Sequence, residues 1–362
     1  MILTNTTNYF AKFIEYLSGA EGLNLGFAGE ILAYVVIAAL YLAFFAVAGL
    51  MLVYMERRIA AFFQLRLGPN RVGPWGLLQT IADALKLVAK EITGTERKDG
   101  LLYHTAYYLV IVAALVSLSV VSFAPGVQAF NVNIGVFFIS AVSSVGVLGL
   151  IFGGWGSNNK YSLLGAMRSG LQMISYELSA GLAMLTIILM VGSLNVDSII
   201  EAQQSNIFLI QGHIPALIAF AIFIIAGTAE SNRTPFDLPE GEAELGAGFH
   251  SEYSGMGFAY FFLAEFINMF IIASLTATLF LGGWLAPFGI TDSLPWQPLW
   301  GLIWFFVKVL GVIFLMMWFR WTFPRLRIDQ LLTLEWKYLL PMALLNIVLM
   351  ALVVYFDLLI KF

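Results

Sequence analysis

An all-α polytopic membrane protein is what this sequence predicts, and three observations predict it. The 362 residues are 60% hydrophobic and 15% aromatic but only 11% charged, more apolar surface than a soluble core of this length can bury. Apolar runs of about 20 residues recur along the chain, each long enough for a helix to cross a bilayer. Lysine and arginine concentrate in alternate connections, as they do when successive loops face opposite sides of a membrane.

Eight spans follow, at residues 31–55, 101–123, 134–155, 162–191, 214–232, 257–283, 299–319 and 338–360. The first carries no charge and makes roughly 37 Å of helix, enough to tilt in the bilayer. The opening MILTNTTNYFAKFIEYLSG lacks the basic region and short apolar core of a cleaved signal, so this first run is expected to remain as a span. Connections one, three, five and seven, with Arg168 just inside the fourth span, hold 15 of the 18 Lys and Arg residues, and the even-numbered connections hold none. The odd connections are therefore expected in the cytoplasm and both termini on the other side. No repeat, low-complexity tract or soluble linker interrupts the pattern, so residues 1–362 read as a single integral membrane domain.

The first connection is more than a loop. Leu78, Ile81, Leu85, Val88 and Ile92 recur at helical spacing, while Asp83, Lys86 and Lys90 occupy another face, the pattern of an amphipathic helix lying on the membrane surface. Before it, Gly68-Pro69-Asn70-Arg71-Val72-Gly73-Pro74-Trp75-Gly76 combines fixed and permissive backbone positions. Anchoring alone explains such a helix, yet Glu56, Arg57, Arg58, Arg66, Arg71, Asp83, Lys86, Lys90 and Glu91 crowd the connection more densely than anchoring requires.

In the fourth span Arg168, Gln172 and Ser175 fall within about 60° of one another on a helix, and Glu177 lies on the opposite side. Arg168 and Glu177 therefore need separate partners, and Arg168 either snorkels to the interface or meets another group there. In the seventh span Lys308 either counters an acid or loses its proton by desolvation. The basic seventh connection serves as a topology signal or as a docking surface.

Acids concentrate between the fifth and sixth spans. Glu230, Asp237, Glu240, Glu242, Glu244, Glu252 and Glu265 are 7 of the 22 acidic residues, within residues 230–265, against one Arg and no Lys. As a strand, Glu240, Glu242 and Glu244 would share one face, and as a helix they would spread over about 160°. In a soluble protein this would be a solvated loop. Joining two membrane helices and flanked by Gly, Pro and aromatic residues, it reads instead as a partly buried funnel. Glu265 follows Phe258, Phe261 and Phe262 into the sixth span, where a carboxylate is costly and functional by default. Acids spaced along one route are what a proton relay needs, each able to hold or release a proton as its surroundings change.

Other chemistries find no support. Without cysteine the chain has no thiolate iron–sulfur ligands, disulfides or Cys nucleophile. His104, His213 and His250 sit at segment ends or in loops, which argues against a haem held between helices. No metal-ligand spacing, phosphate loop, dinucleotide fingerprint, Ser/His/Asp set or nucleic-acid motif is present.

The runs Glu56-Arg57-Arg58, Gln64-Leu65-Arg66-Leu67-Gly68-Pro69-Asn70-Arg71-Val72-Gly73-Pro74, Ala82-Asp83-Ala84-Leu85-Lys86, Ser175-Tyr176-Glu177, Asn232-Arg233-Thr234-Pro235-Phe236-Asp237-Leu238-Pro239-Glu240 and Pro324-Arg325-Leu326-Arg327-Ile328-Asp329-Gln330 resemble, in order and over about residues 30–360, the H-subunit family of bacterial respiratory complex I, NADH:quinone oxidoreductase. The resemblance implies a multi-pass inner-membrane protein with no redox centre of its own, forming the quinone-access chamber. Its substrate would be ubiquinone or menaquinone, and its partners the peripheral-arm and neighbouring membrane subunits, with FMN and iron–sulfur clusters in those partners. It assigns Arg57, Arg66, Asp83, Lys86, Phe261 and Phe266 to the quinone chamber, and Glu177, Glu230, Asp237, Glu240, Glu242, Glu244, Glu252 and Glu265 to a proton path. Arg71, Arg168, Arg233, Arg325 and Arg327 are assigned to partner docking. The sequence departs from the family at Phe266, where Tyr is frequent. A related component of a membrane-bound hydrogenase, a stand-alone proton-coupled transporter and a docking scaffold are the competing readings. The transporter reading expects helix breaks at matched positions of two halves, and no such symmetry is visible.

Overall fold

The computed structural model describes residues 27–239, 241–287, 290 and 296–359. Its main helices are α1 (Phe27–Phe63), α2 (Gln79–Ala89), α3 (Gly100–Ser119), α4 (Gly135–Gly156), α5 (Lys160–Val191), α6 (His213–Glu230), α7 (Gly255–Phe280), α8 (Gln297–Thr322) and α9 (Ile328–Tyr355). All but α2 are long and apolar enough to cross a membrane, which makes eight among the described residues. The all-α polytopic architecture is borne out.

Boundaries differ where charge was taken for a helix end. Helix α1 continues through Glu56, Arg57 and Arg58 to Phe63, because Glu and Arg are good helix formers and charge limits the part of a helix in lipid, not the helix itself. Helix α9 begins at Ile328, ten residues before the expected span. Lys337 marked a boundary there, while Leu331 and Leu339 on either side of it are buried. Caps follow local chemistry: Asp99 accepts from the amides of Leu101 and Leu102 at the start of α3, and Gly192 ends α5 in the left-handed conformation.

Helix α7 is the centre. From 266 to 280 every residue except Asn268 is buried, as expected for a helix that is apolar all round. It packs against α1, α3, α6 and α8. Helices α3 and α4 approach closely through small residues: a Cβ on Gly149 would stand 2.5 Å from Val110 Cγ2 and 2.9 Å from the Ala106 carbonyl. Helices α1 and α9 lie at the edge and present Leu40, Val47, Leu345 and Val348 outward, as lipid-facing helices do. Amphipathic α2 leaves Ile81, Leu85 and Val88 exposed, with Leu78 and Ile92 exposed on either side of it, an apolar face available to the membrane surface.

Candidate functional site

The charged centre is built where α1, α7 and α8 meet the segment after α6. Glu56 lies in the extension of α1, Glu265 in α7, Arg320 in the last turn of α8, and Arg233 just beyond α6. Arg233 Nη1 donates to Glu56 Oε2 at 2.6 Å, and its Nε stands 2.8 Å from Glu265 Oε1 in a second ion pair. Arg320 pairs with the other Glu56 oxygen. The Arg233 side chain is 4% exposed, and its guanidinium carbon lies 4.0 Å from the centre of the Phe266 ring. Alongside, Arg325 donates to Asp237 Oδ2 at 2.5 Å. Burial pushes the Asp237 carboxyl above its ordinary value, with Arg325, Arg320 and Arg233 opposing.

Two water-sized cavities extend this centre into the helices. One, of about 30 Å³, is lined by Glu265, Glu230, His250, Ser143 and Asn268 with Phe258, Phe261 and Phe262. The other, of about 20 Å³, is lined by Glu230, Glu177, Ser140, Ser143 and Asn268. Glu230, Ser143 and Asn268 belong to both, so Glu265, Glu230 and Glu177 stand in a row with a small cavity between each pair.

A third cavity, of about 390 Å³, lies between α1, α2 and α7. Its lining is apolar apart from Arg57, Thr80, Asp83, Lys86 and Tyr260. Arg57 and Asp83 are paired at 2.5 Å, and Gln79 holds the other Asp83 oxygen at 3.2 Å. Phe258 and Phe262, stacked with ring centres 5.7 Å apart, line both this cavity and the one containing Glu265.

The expected residues divide accordingly. Arg57, Asp83 and Lys86 meet in the large cavity. Arg66 does not: it is exposed beyond α1, bonded to Gln64 at 2.6 Å. Phe261 lines the acid cavity, and Phe266 is buried beneath Arg233. Glu252 accepts from Asn159 Nδ2 at 2.6 Å and lines a separate open groove. Glu244 is exposed and paired with Arg168 at 2.6 Å, and that hydrogen bond holds its carboxyl below the ordinary value. Glu240 lies outside the described residues, as does the side chain of Glu242, which opens the one-turn helix Glu242–Leu245. Arg71 and Arg327 are exposed.

One expectation needs correction, and one open alternative is narrowed. Arg233 is not exposed for docking but is the buried cation between Glu56 and Glu265, because the chain turns inward directly after α6. Among the described residues Lys308 pairs with no acid: its Nζ donates to the carbonyls of Gly283 at 2.9 Å and Leu285 at 2.7 Å, just past the end of α7. Sequence reasoning passed over Glu56, His250 and Glu335 as site residues. The Glu-Arg-Arg run was a signal for the first; His250 sits in a connecting segment and Glu335 beside Trp336 and Lys337, where each looks like a residue of the membrane surface.

The acidic segment is seated by Gly165 of α5. A Cβ there would meet Gly248 Cα, Phe249 N and the Pro239 carbonyl, each at 2.9 Å. All three are backbone atoms and cannot swing aside. Gly165→Ala is expected to cost about 1–3 kcal/mol and to displace this segment, read as a lower thermal midpoint of the purified protein. His250, on the same segment, has its imidazole pushed down to about 4 by burial. Folded, it stays neutral until that pH; unfolded, it takes a proton below about 6.5. Stability is therefore lost as pH falls from about 6.5 to about 4, by at most about 3 kcal/mol. His250→Phe should flatten that part of a stability-against-pH curve.

Over residues 35–351 the sequence matches the NADH dehydrogenase family. It is 52% identical over 329 residues to the H subunit of NADH-quinone oxidoreductase from Bacteroides fragilis, covering 90% of this chain and 91% of that one. The corresponding H subunits of Rhodospirillum centenum and Brevibacillus brevis are similar at 47% over 300 residues and 46% over 327 residues. The Rhodospirillum match covers 83% of this chain and 87% of the relative; the Brevibacillus match covers 90% and 94%. With identity of this extent across all eight spans, the chain belongs to the H-subunit family of NADH-quinone oxidoreductase, in the membrane part of respiratory complex I.

Proposed function

We infer that this chain forms the passage through which quinone reaches the reducing end of complex I from the bilayer, and that it converts quinone reduction into proton movement within the membrane. The observation that carries this reading is the shared wall: Phe258 and Phe262 line both the large apolar cavity and the cavity of Glu265 and Glu230. A mostly apolar cleft with a few placed polar groups suits an amphiphilic, lipid-soluble substrate, and Arg57, Asp83 and Lys86 supply those groups at its cytoplasmic end. Electrons arrive from NADH through FMN and iron–sulfur clusters held by partner subunits. Reduction of ubiquinone or menaquinone consumes protons and alters charge beside the Arg233 network. Glu265, ion-paired to Arg233, senses that change and exchanges a proton with Glu230, and Glu230 with Glu177, through the two small cavities. The protein lies in the bacterial inner membrane with the odd-numbered connections cytoplasmic, where exposed Arg71 and Arg327 face the peripheral arm.

A photoreactive quinone analogue added to the assembled complex tests the passage. Labelling on α1, α2 or the first two turns of α7, reduced by competing quinone, is the expected result. Labelling indifferent to quinone, or confined to other helices, would remove the passage from this chain.

A further inference from the structure

Glu335 is a buried acid that the row through Glu265, Glu230 and Glu177 does not use. On α9 the buried positions are Leu331, Glu335, Leu339, Ala343, Asn346 and Met350. The only other polar residue among them, Asn346, donates to the Pro215 carbonyl at 3.0 Å. Steps of four residues turn about 40° too far on a regular α-helix, so positions 331, 335, 339 and 343 would wind away from the core. The π-helical segment Leu334–Leu339, with its wider turn, takes up that rotation. The helix thus leaves regular geometry at the place where a carboxyl faces the core.

Glu335 is 1% exposed there. Its Oε2 accepts from Ser179 on α5 at 3.1 Å. Ser179 is two residues from Glu177, so the two acids sit at one depth on opposite faces of α5. Among the described residues no cation pairs with Glu335. Its Oε1 and the Tyr176 hydroxyl are buried without hydrogen-bond partners, and the two side chains are near enough to interact electrostatically. The Tyr176 ring packs on Phe236 at 5.2 Å, next to Asp237. A buried carboxylate without a counter-charge is costly, and an apolar side chain of similar size would serve packing better. Acids retained in such places mark proton routes.

We propose that Glu335 is a second proton-storing site of this chain, on the face of α5 opposite Glu177. A proton arriving from the Asp237 side past the Tyr176 hydroxyl forms the carboxyl O–H bond, and the same bond breaks when the proton leaves; no electron moves. The inference rests on the proton-path reading above, because the charge change that drives it is the one beside Arg233.

The test is infrared difference spectroscopy of the whole complex, oxidised against NADH-reduced, together with the pH profile of proton pumping. Glu335→Gln keeps the size and the Ser179 bond but carries no exchangeable carboxyl proton. The expected result is loss of one carboxyl stretching band and a shifted pH profile, neither of which a purely structural role would produce. An unchanged spectrum and profile overturn the proposal. Ser179→Ala keeps the carboxyl and removes its donor, so it should shift that band; if Glu335→Gln does not assemble, an unmoved band in Ser179→Ala overturns the proposal by itself. Glu230→Gln separates the two readings. Coupling lost there with Glu335→Gln unchanged removes only Glu335, and coupling retained in both variants removes the row as well.

Discussion

Arg233→Ala is expected to be the most destabilising single substitution in this chain outside the packed core of α7. The guanidinium joins Glu56 at 2.6 Å and Glu265 at 2.8 Å with 4% of its side chain exposed. Truncation leaves Glu265 without that cation and Glu56 with Arg320 alone. Removing one partner of a buried ion pair costs about 3–5 kcal/mol, because the remaining charge is uncompensated. The stacking of the guanidinium on Phe266 is lost as well. Arg233→Lys restores the charge but not the fork that reaches two carboxylates, and it should recover only part of the loss. The comparison that isolates the cause is Arg233→Met with Glu265→Gln. If uncompensated charge is the problem, the double substitution is more stable than Arg233→Ala. The thermal midpoint of the purified complex and the yield of assembled membrane arm measure both. A midpoint within experimental error of the parent would show that Glu56 and Glu265 do not depend on this cation.

That network explains which parts of the molecule were legible in the sequence. The spans were, because lipid demands about 20 apolar residues for each crossing and nothing short-range imitates that signal. Their ends were not: Glu56 to Arg58 look like the start of a loop, yet they continue α1 and deliver Glu56 to Arg233. Helix periodicity correctly separated Arg168 from Glu177. It also indicated α2, whose exposed apolar face runs along Ile81, Leu85 and Val88.

Among the acids, the cluster was legible and its division was not. Seven carboxylates within residues 230–265 look alike in sequence. In the fold, Glu244 is paired with Arg168 at the surface and Glu252 is bonded to Asn159. Glu230 and Glu265 line one cavity with His250. What separates them is the course of the backbone between α6 and α7, set by long-range contacts such as that of Gly165 with Gly248. Glu335 was missed for a related reason: beside Lys337 and Trp336 it resembles an interfacial residue, and only the π-helical segment turns it inward.

Glu230→Gln is expected to lower coupled quinone reduction by about 100-fold while leaving the fold intact. Proton transfer by a placed side chain contributes at least that much when it lies on the required route, and Glu230 is the acid common to both small cavities. Glutamine fills the same space and offers hydrogen bonds, but it cannot carry the proton onward. If, as proposed, electrons pass through clusters in partner subunits before quinone is involved, reduction of those clusters by NADH should be unaffected. Glu265→Gln is a less direct probe, because it also removes an ion pair from Arg233. The decisive measurement compares Glu177→Gln, Glu230→Gln and the double substitution in vesicles. Two acids on one row act as a unit, so the double variant should pump no worse than Glu230→Gln alone. Losses that add would mean that Glu177 and Glu230 serve separate routes, and proton pumping unchanged in Glu230→Gln would show that protons do not pass between Glu265 and Glu177 by way of this carboxyl.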